Sequence, residues 1–185
     1  RQAQNTSIIK DIRIWVDKDN SNPTDELKKI LLELGLEKSN LGVEYESYGL
    51  TGRNAIKLNN SLKNFASLVD KSELISYLRV VKTPPEIIYV KKSAELADKA
   101  MESAWRYTRA GVSESKILAE MQGEIFKGGG DYPANNFIIG SGPNALLCRY
   151  QSEKRNLGDV DQISLEWAGT SKHYHSALFR TIIIG

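Results

Sequence analysis

The sequence predicts a mixed α/β chain in two parts, and three observations carry that prediction. Short apolar runs interleave with helical patterns up to about residue 82, the pair Pro84-Pro85 interrupts the chain, and two amphipathic helices followed by three apolar runs fill the remainder. The boundary is therefore set between residues 1–82 and 83–185.

In the first part, Ile12-Arg13-Ile14-Trp15-Val16 alternates as a half-buried strand does, and Asp19 to Pro23 is a turn cluster. Leu27, Ile30, Leu31 and Leu34 then recur at helical spacing, with Thr24 or Asp25 available as a cap and Gly35 at the natural stop. Gly42 to Tyr45 reads as a short strand. Thr51 to Leu62 and Ser72 to Leu78 read as helices, joined through an apolar knot from Phe65 to Val69. In the second part, Val90, Ala94, Ala97, Met101 and Ala104 fall three or four apart, which predicts a helix running to about Arg109, with Met101 and Trp105 on its core face. A second helix follows from Ser113, carrying Ile117, Leu118, Met121 and Ile125 on one side and ending at Gly128-Gly129-Gly130. Phe137 to Ile139, Gln162 to Trp167 and His173 to Ile184 read as antiparallel strands. The exposed edge of the last one, Thr181 to Ile184, predicts that this chain self-associates; separately, the whole protein is expected to be a homodimer.

Composition narrows the function classes. The chain has 185 residues, 41% of them apolar, and a formal net charge of +2 with no basic block, so nucleic acid is not an expected partner. No apolar run is long enough to span a bilayer, so no membrane partner is expected. One cysteine, Cys148, excludes an internal disulfide framework and agrees with a cytoplasmic setting. The first residue is Arg, and the apolar run Thr181 to Ile184 ends at Gly185, so the chain reads as a piece of a longer protein.

The order of Lys82 with Glu86-Ile87, Ser141-Gly142-Pro143-Asn144-Ala145, Gly158-Asp159, and Tyr174 followed by Arg180-Thr181 resembles the creatinase/prolidase/aminopeptidase P family. The resemblance covers about residues 80 to 185. It implies the later part of a creatinase-type N-terminal α/β domain followed by the first half of a pita-bread catalytic domain. It also implies two metal-binding aspartates, whose positions, counted back from Arg180-Thr181, hold Glu166 and Ala177. Alanine cannot bind a metal, so the dinuclear site is expected to be lost and no cofactor is expected, with one divalent ion on Glu166 left open. Arg149 stands where the metallopeptidases have a histidine.

With position 177 anchored in the cleft, strand parity turns His175 and His173 to the same side, and Glu166 joins Ser164 and Ala168 on the neighbouring strand. Glu166, His175 and His173 form a candidate acid/base set. Arg149 is a candidate clamp for a substrate carboxylate, with Tyr150 a candidate hydrogen-bond partner. Within the family, Ala145 to Tyr150, Leu165 to Gly169 and His173 to Ala177 resemble the ectoine hydrolase branch. That resemblance implies a metal-independent C–N hydrolase acting on a small zwitterionic, amidine or guanidino substrate. The alternatives are a Xaa-Pro dipeptidase or aminopeptidase with an altered metal site, and a non-catalytic family member.

Overall fold

The computed structural model describes residues 2–147, 149 and 154–185. The chain folds as two units, Arg1–Val81 and Lys82–Gly185.

The first unit contains α1 (Gln2–Thr6), α2 (Pro23–Glu33), β1 (Asn40–Val43), α3 (Gly52–Leu62), β2 (Ser67–Asp70) and α4 (Leu74–Val80). The Asn22 side chain caps α2 by accepting from the Thr24 amide, and Thr51 caps α3 by accepting from Asn54. Leu58, Leu62 and Phe65 form a small core beneath a parallel β1–β2 pair. The expected knot at Phe65 to Val69 is thus partly a strand, β2. The strand expected at Ile12 to Val16 does not form: the segment has no ladder partner among the described residues, and Ile14 is 89% exposed.

The second unit contains α5 (Pro84–Tyr107), α6 (Glu114–Lys127), β3 (Ile138–Ser141), a 3-10 turn at Gly142–Asn144, β4 (Asp161–Ser171) and β5 (Tyr174–Ile184). Pro84 and Pro85 occupy the first helical positions of α5, where a missing amide hydrogen costs nothing. Thr83 and Glu86 close a capping box around them. The three strands form an antiparallel sheet in the order β3-β4-β5. One face of the sheet packs on the two helices: Ile139, Ile163, Leu165 and Trp167 are buried with Leu96, Ala97, Ile117, Met121 and Ile125. Small residues set the approach of α5 to β4. Trp167 Nε1 donates to Ala97 O at 2.9 Å, and a side chain at Gly169 would run into the α5 backbone. Trp105 lies off this face and is 60% exposed, because α5 presents Met101 and Ala104 to the core.

Candidate functional site

The sheet face turned away from the helices carries the candidate residues. Alternation along β4 buries Ile163, Leu165 and Trp167 and leaves Glu166 exposed on the opposite side. The antiparallel register sets Glu166 in a row with Ile138 and Phe179, and Ala168 pairs with Ala177. Beyond them, His175 stands opposite Thr170.

Glu166, Trp167, Ala168, His175 and Ala177 line a depression of about 130 Å³, whose other wall is the segment from Pro133 to Asn136. Ala168 and Ala177 supply its floor, with Glu166 at one end and His175 at the other. Four residues of strand separate the two ends, about 13 Å at ~3.3 Å per residue. Glu166 and His175 therefore do not form a directly hydrogen-bonded acid/base pair.

His175 is doubly engaged. Its Nδ1 lies 2.9 Å from His173 O, and its Nε2 accepts from the Ala134 amide at 2.9 Å. The expectation that His173 shares the cleft-facing side is corrected. Lys172 and His173, at φ 50° and 63°, are the two turn residues of the β4–β5 hairpin, so strand parity stops at Tyr174. The His173 amide donates to Asp131 Oδ2 at 3.3 Å, and its side chain does not line the depression. Arg149 is exposed and does not line the depression either. Tyr150 and Cys148 lie outside the described residues.

Sequence reasoning missed a buried polar network behind the Ser-Gly-Pro-Asn turn. Ser141 Oγ donates to Glu114 Oε1 at 2.6 Å, and Arg155 Nη1 donates to Ser141 Oγ at 2.8 Å and to Asp161 Oδ2 at 2.6 Å. The Arg155 amide donates to Glu114 Oε2 at 3.2 Å. Glu114 is 1% exposed, and a carboxylate that deep is stable only with such partners. The amide of Gly158 and the Arg155 guanidinium hold the Asp161 carboxyl below its usual range. Within the Gly158-Asp159 motif region it is thus Asp161 that bonds the turn, a role marked in the sequence only by its position two residues on. The network ties the chain on both sides of the stretch that contains Arg149.

Comparison with known proteins decides the family. The model of metallopeptidase family M24 matches residues 89–185. The chain belongs to the M24 family. The chain is 27% identical over 184 residues to the Xaa-Pro dipeptidase of Pyrococcus furiosus, covering 97% of this chain and 51% of that protein. It is 24% identical over 183 residues to the ectoine hydrolase of Halomonas elongata, covering 92% and 45%. A solved structure, the Xaa-Pro dipeptidase from Bacillus anthracis, superposes with a TM-score of 0.78 at 27% identity, over all of this chain and 49% of that one. The fold is that of the M24 pita-bread enzymes, and the chain spans about half the length of the relatives it matches. Homology makes it part of a hydrolase family whose named relatives include Xaa-Pro peptidases and an ectoine hydrolase. Among the described residues no helix is long and apolar enough to cross a membrane.

The name of the M24 family implies a metal, and the donors on this chain bear on whether one fits. No group of three or more His, Cys, Asp or Glu among the described residues is placed to hold an ion. Ile138 and Phe179 flank Glu166 in its own row, and Ala168 and Ala177 follow on the floor. The Nε2 lone pair of His175 is taken by the Ala134 amide. Among the described residues of this depression Glu166 is the single carboxylate, with only the Asn135 and Asn136 side chains as further oxygen donors, so these residues by themselves do not fit a two-metal centre, which needs bridging carboxylates.

Proposed function

We propose that the full-length protein is a metal-independent C–N hydrolase whose substrate is a compact cationic amidine bearing a carboxylate, ectoine or a close analogue. The observation that carries this reading is the alanine floor. Ala177, paired across the ladder with Ala168, stands at one of the two positions where the family resemblance leads one to expect a metal-binding aspartate, leaving Glu166, at the other, as the charged group of the depression. The ectoine hydrolase among the relatives supports the same reading.

A cationic amidine needs no Lewis acid, because its carbon is already electrophilic. Glu166 balances the positive charge and takes the proton of the attacking water. A C–O bond forms at the amidine carbon, one ring C–N bond breaks, and both protons of the water end on the leaving nitrogen, which departs as an ammonium as the carbonyl forms, giving an open-chain acylated diamine. The small floor admits the ring face-on. Arg149, which does not line the depression, and Tyr150 are proposed to reach the substrate carboxylate from the chain segment that follows the Ser-Gly-Pro-Asn turn.

A second reading has its own support: the Pyrococcus furiosus relative, matched over 97% of the chain, is a Xaa-Pro dipeptidase. The two separate by chelation. The full-length protein is dialysed against a strong chelator, metal loss is confirmed by elemental analysis, and turnover of ectoine and of an X-Pro dipeptide is measured. Unchanged ectoine turnover, abolished by Glu166→Gln, is the expected result. Ectoine turnover lost on chelation and restored by zinc, manganese or cobalt overturns the proposal, as does a fully active Glu166→Gln variant.

A further inference from the structure

We infer that His175 is a positioning residue, a latch that fixes the 131–136 strap as one wall of the substrate pocket. The inference rests on the depression being the substrate site. It departs from the acid/base role that the sequence suggested for this histidine.

The tautomer follows from the partners. A carbonyl oxygen only accepts, so the 2.9 Å contact to His173 O requires the hydrogen on Nδ1. Nε2 then bears the lone pair, and the Ala134 amide donates to it at 2.9 Å. Both ring nitrogens are satisfied in the neutral form. For Nε2 to hand a proton to substrate it must first be protonated, and then two N–H groups face each other and the bond to Ala134 is lost. One ring cannot keep that bond and deliver a proton from the same nitrogen.

Other contacts bring the strap to the histidine. The Asp131 amide donates to Thr170 O at 3.0 Å, and the Asp131 carboxylate accepts from the His173 amide. Gly130 allows the close pass over β4, since a Cβ there would lie 2.7 Å from Thr170 O. Beyond Asp131 the strap has Tyr132 and then Pro133, which has no amide hydrogen. Ala134 therefore offers the first amide donor of the lining stretch Pro133 to Asn136, and His175 receives it. Pro133, Ala134, Asn135 and Asn136 line the depression, so this bond sets its width.

The test compares His175→Ala with His175→Gln in the full-length protein. Glutamine offers an amide oxygen near the Nε2 position and has no titrating proton. Hydrogen exchange of a peptide covering the strap is read alongside kcat and KM for ectoine. A latch predicts that His175→Ala speeds exchange at Ala134 and raises KM roughly fivefold with kcat nearly unchanged, and that His175→Gln restores both. Equal loss of kcat in the two variants, with exchange unaltered, overturns it in favour of proton transfer. Unchanged strap exchange in His175→Ala overturns it whatever the substrate. If ectoine is not turned over, the proposed substrate fails, and strap exchange alone still decides the latch.

Discussion

Replacing Gly169 by alanine tests how α5 is seated on the site-bearing strand. An added Cβ would lie 1.9 Å from Ser93 O, 2.5 Å from Ala97 N and 3.0 Å from Ser93 C, all backbone atoms of α5. A flexible side chain can swing away, but a helix backbone cannot. Ordinary contact at ~3.4 Å or more requires α5 and β4 to part by about 1.5 Å. That shift stretches the Trp167 to Ala97 hydrogen bond of 2.9 Å and the Ser93 Oγ to Tyr174 O bond of 2.6 Å. Overpacking of about 1–3 kcal/mol plus two hydrogen bonds of ~1 kcal/mol each gives a loss of about 3–5 kcal/mol. Urea unfolding of the full-length protein measures it, with Gly111→Ala as the control. Gly111 has φ +78° and open space around its Cβ position, so only backbone strain of about 1 kcal/mol is expected there. A Gly169→Ala protein as stable as Gly111→Ala would refute the close seating of α5 on β4.

Thr170→Val should be neutral or stabilising by up to about 1–2 kcal/mol, because the Thr170 hydroxyl is buried without a hydrogen-bond partner and valine has nearly its shape. A clear fall in the urea midpoint would show the hydroxyl to be satisfied. Glu86 gives a pH prediction: the Thr83 hydroxyl, the Thr83 amide and the Tyr174 hydroxyl lower its pKa from 4.5 to about 2. A depressed carboxyl stabilises fully above its unfolded pKa, so this contribution is complete above about pH 4.5 and disappears as pH falls toward 2. Tyr174→Phe, which removes the bond to Glu86 Oε1, should raise the Glu86 pKa in an NMR titration, and an unmoved pKa would show that Tyr174 is not its partner.

What the sequence made legible was local. Helices α5 and α6 announce themselves because each repeats an apolar face over several turns and ends near glycine, and the buried Ala97, Met101, Ile117, Met121 and Ile125 lie on the expected stripes. What it hid depended on distant partners. Ile12 to Val16 alternates correctly, yet alternation only permits a strand, and a strand forms where another offers a ladder. Ser67 to Asp70 has a weaker pattern and is a strand, because β1 pairs with it in parallel. The hairpin turn was hidden for a third reason. Lys172 and His173 lack the Asn-Gly signature of a two-residue turn, and eleven residue pairs of the β4–β5 ladder impose their left-handed conformation. Missing that turn misplaced His173 by extending strand parity one residue too far.

The two faces of β4 answer to different constraints, so residues on the site face can be exchanged without disturbing the architecture. Ile163, Leu165 and Trp167 are locked into the helix-packed core, where each lost methylene is felt, so that face tolerates little. Glu166 on the other face, and Ala177 across from Ala168, make no contribution to that core. An alanine in place of a larger polar residue at such a position costs the fold almost nothing, which is what the proposed metal-independent reading requires of Ala177. The same asymmetry bounds the latch. His175 is exposed, so its substitution should leave global stability within about 0.5 kcal/mol of wild type while the strap loosens. A large global loss would mean that the strap belongs to the folding core and that the site face is not free to vary.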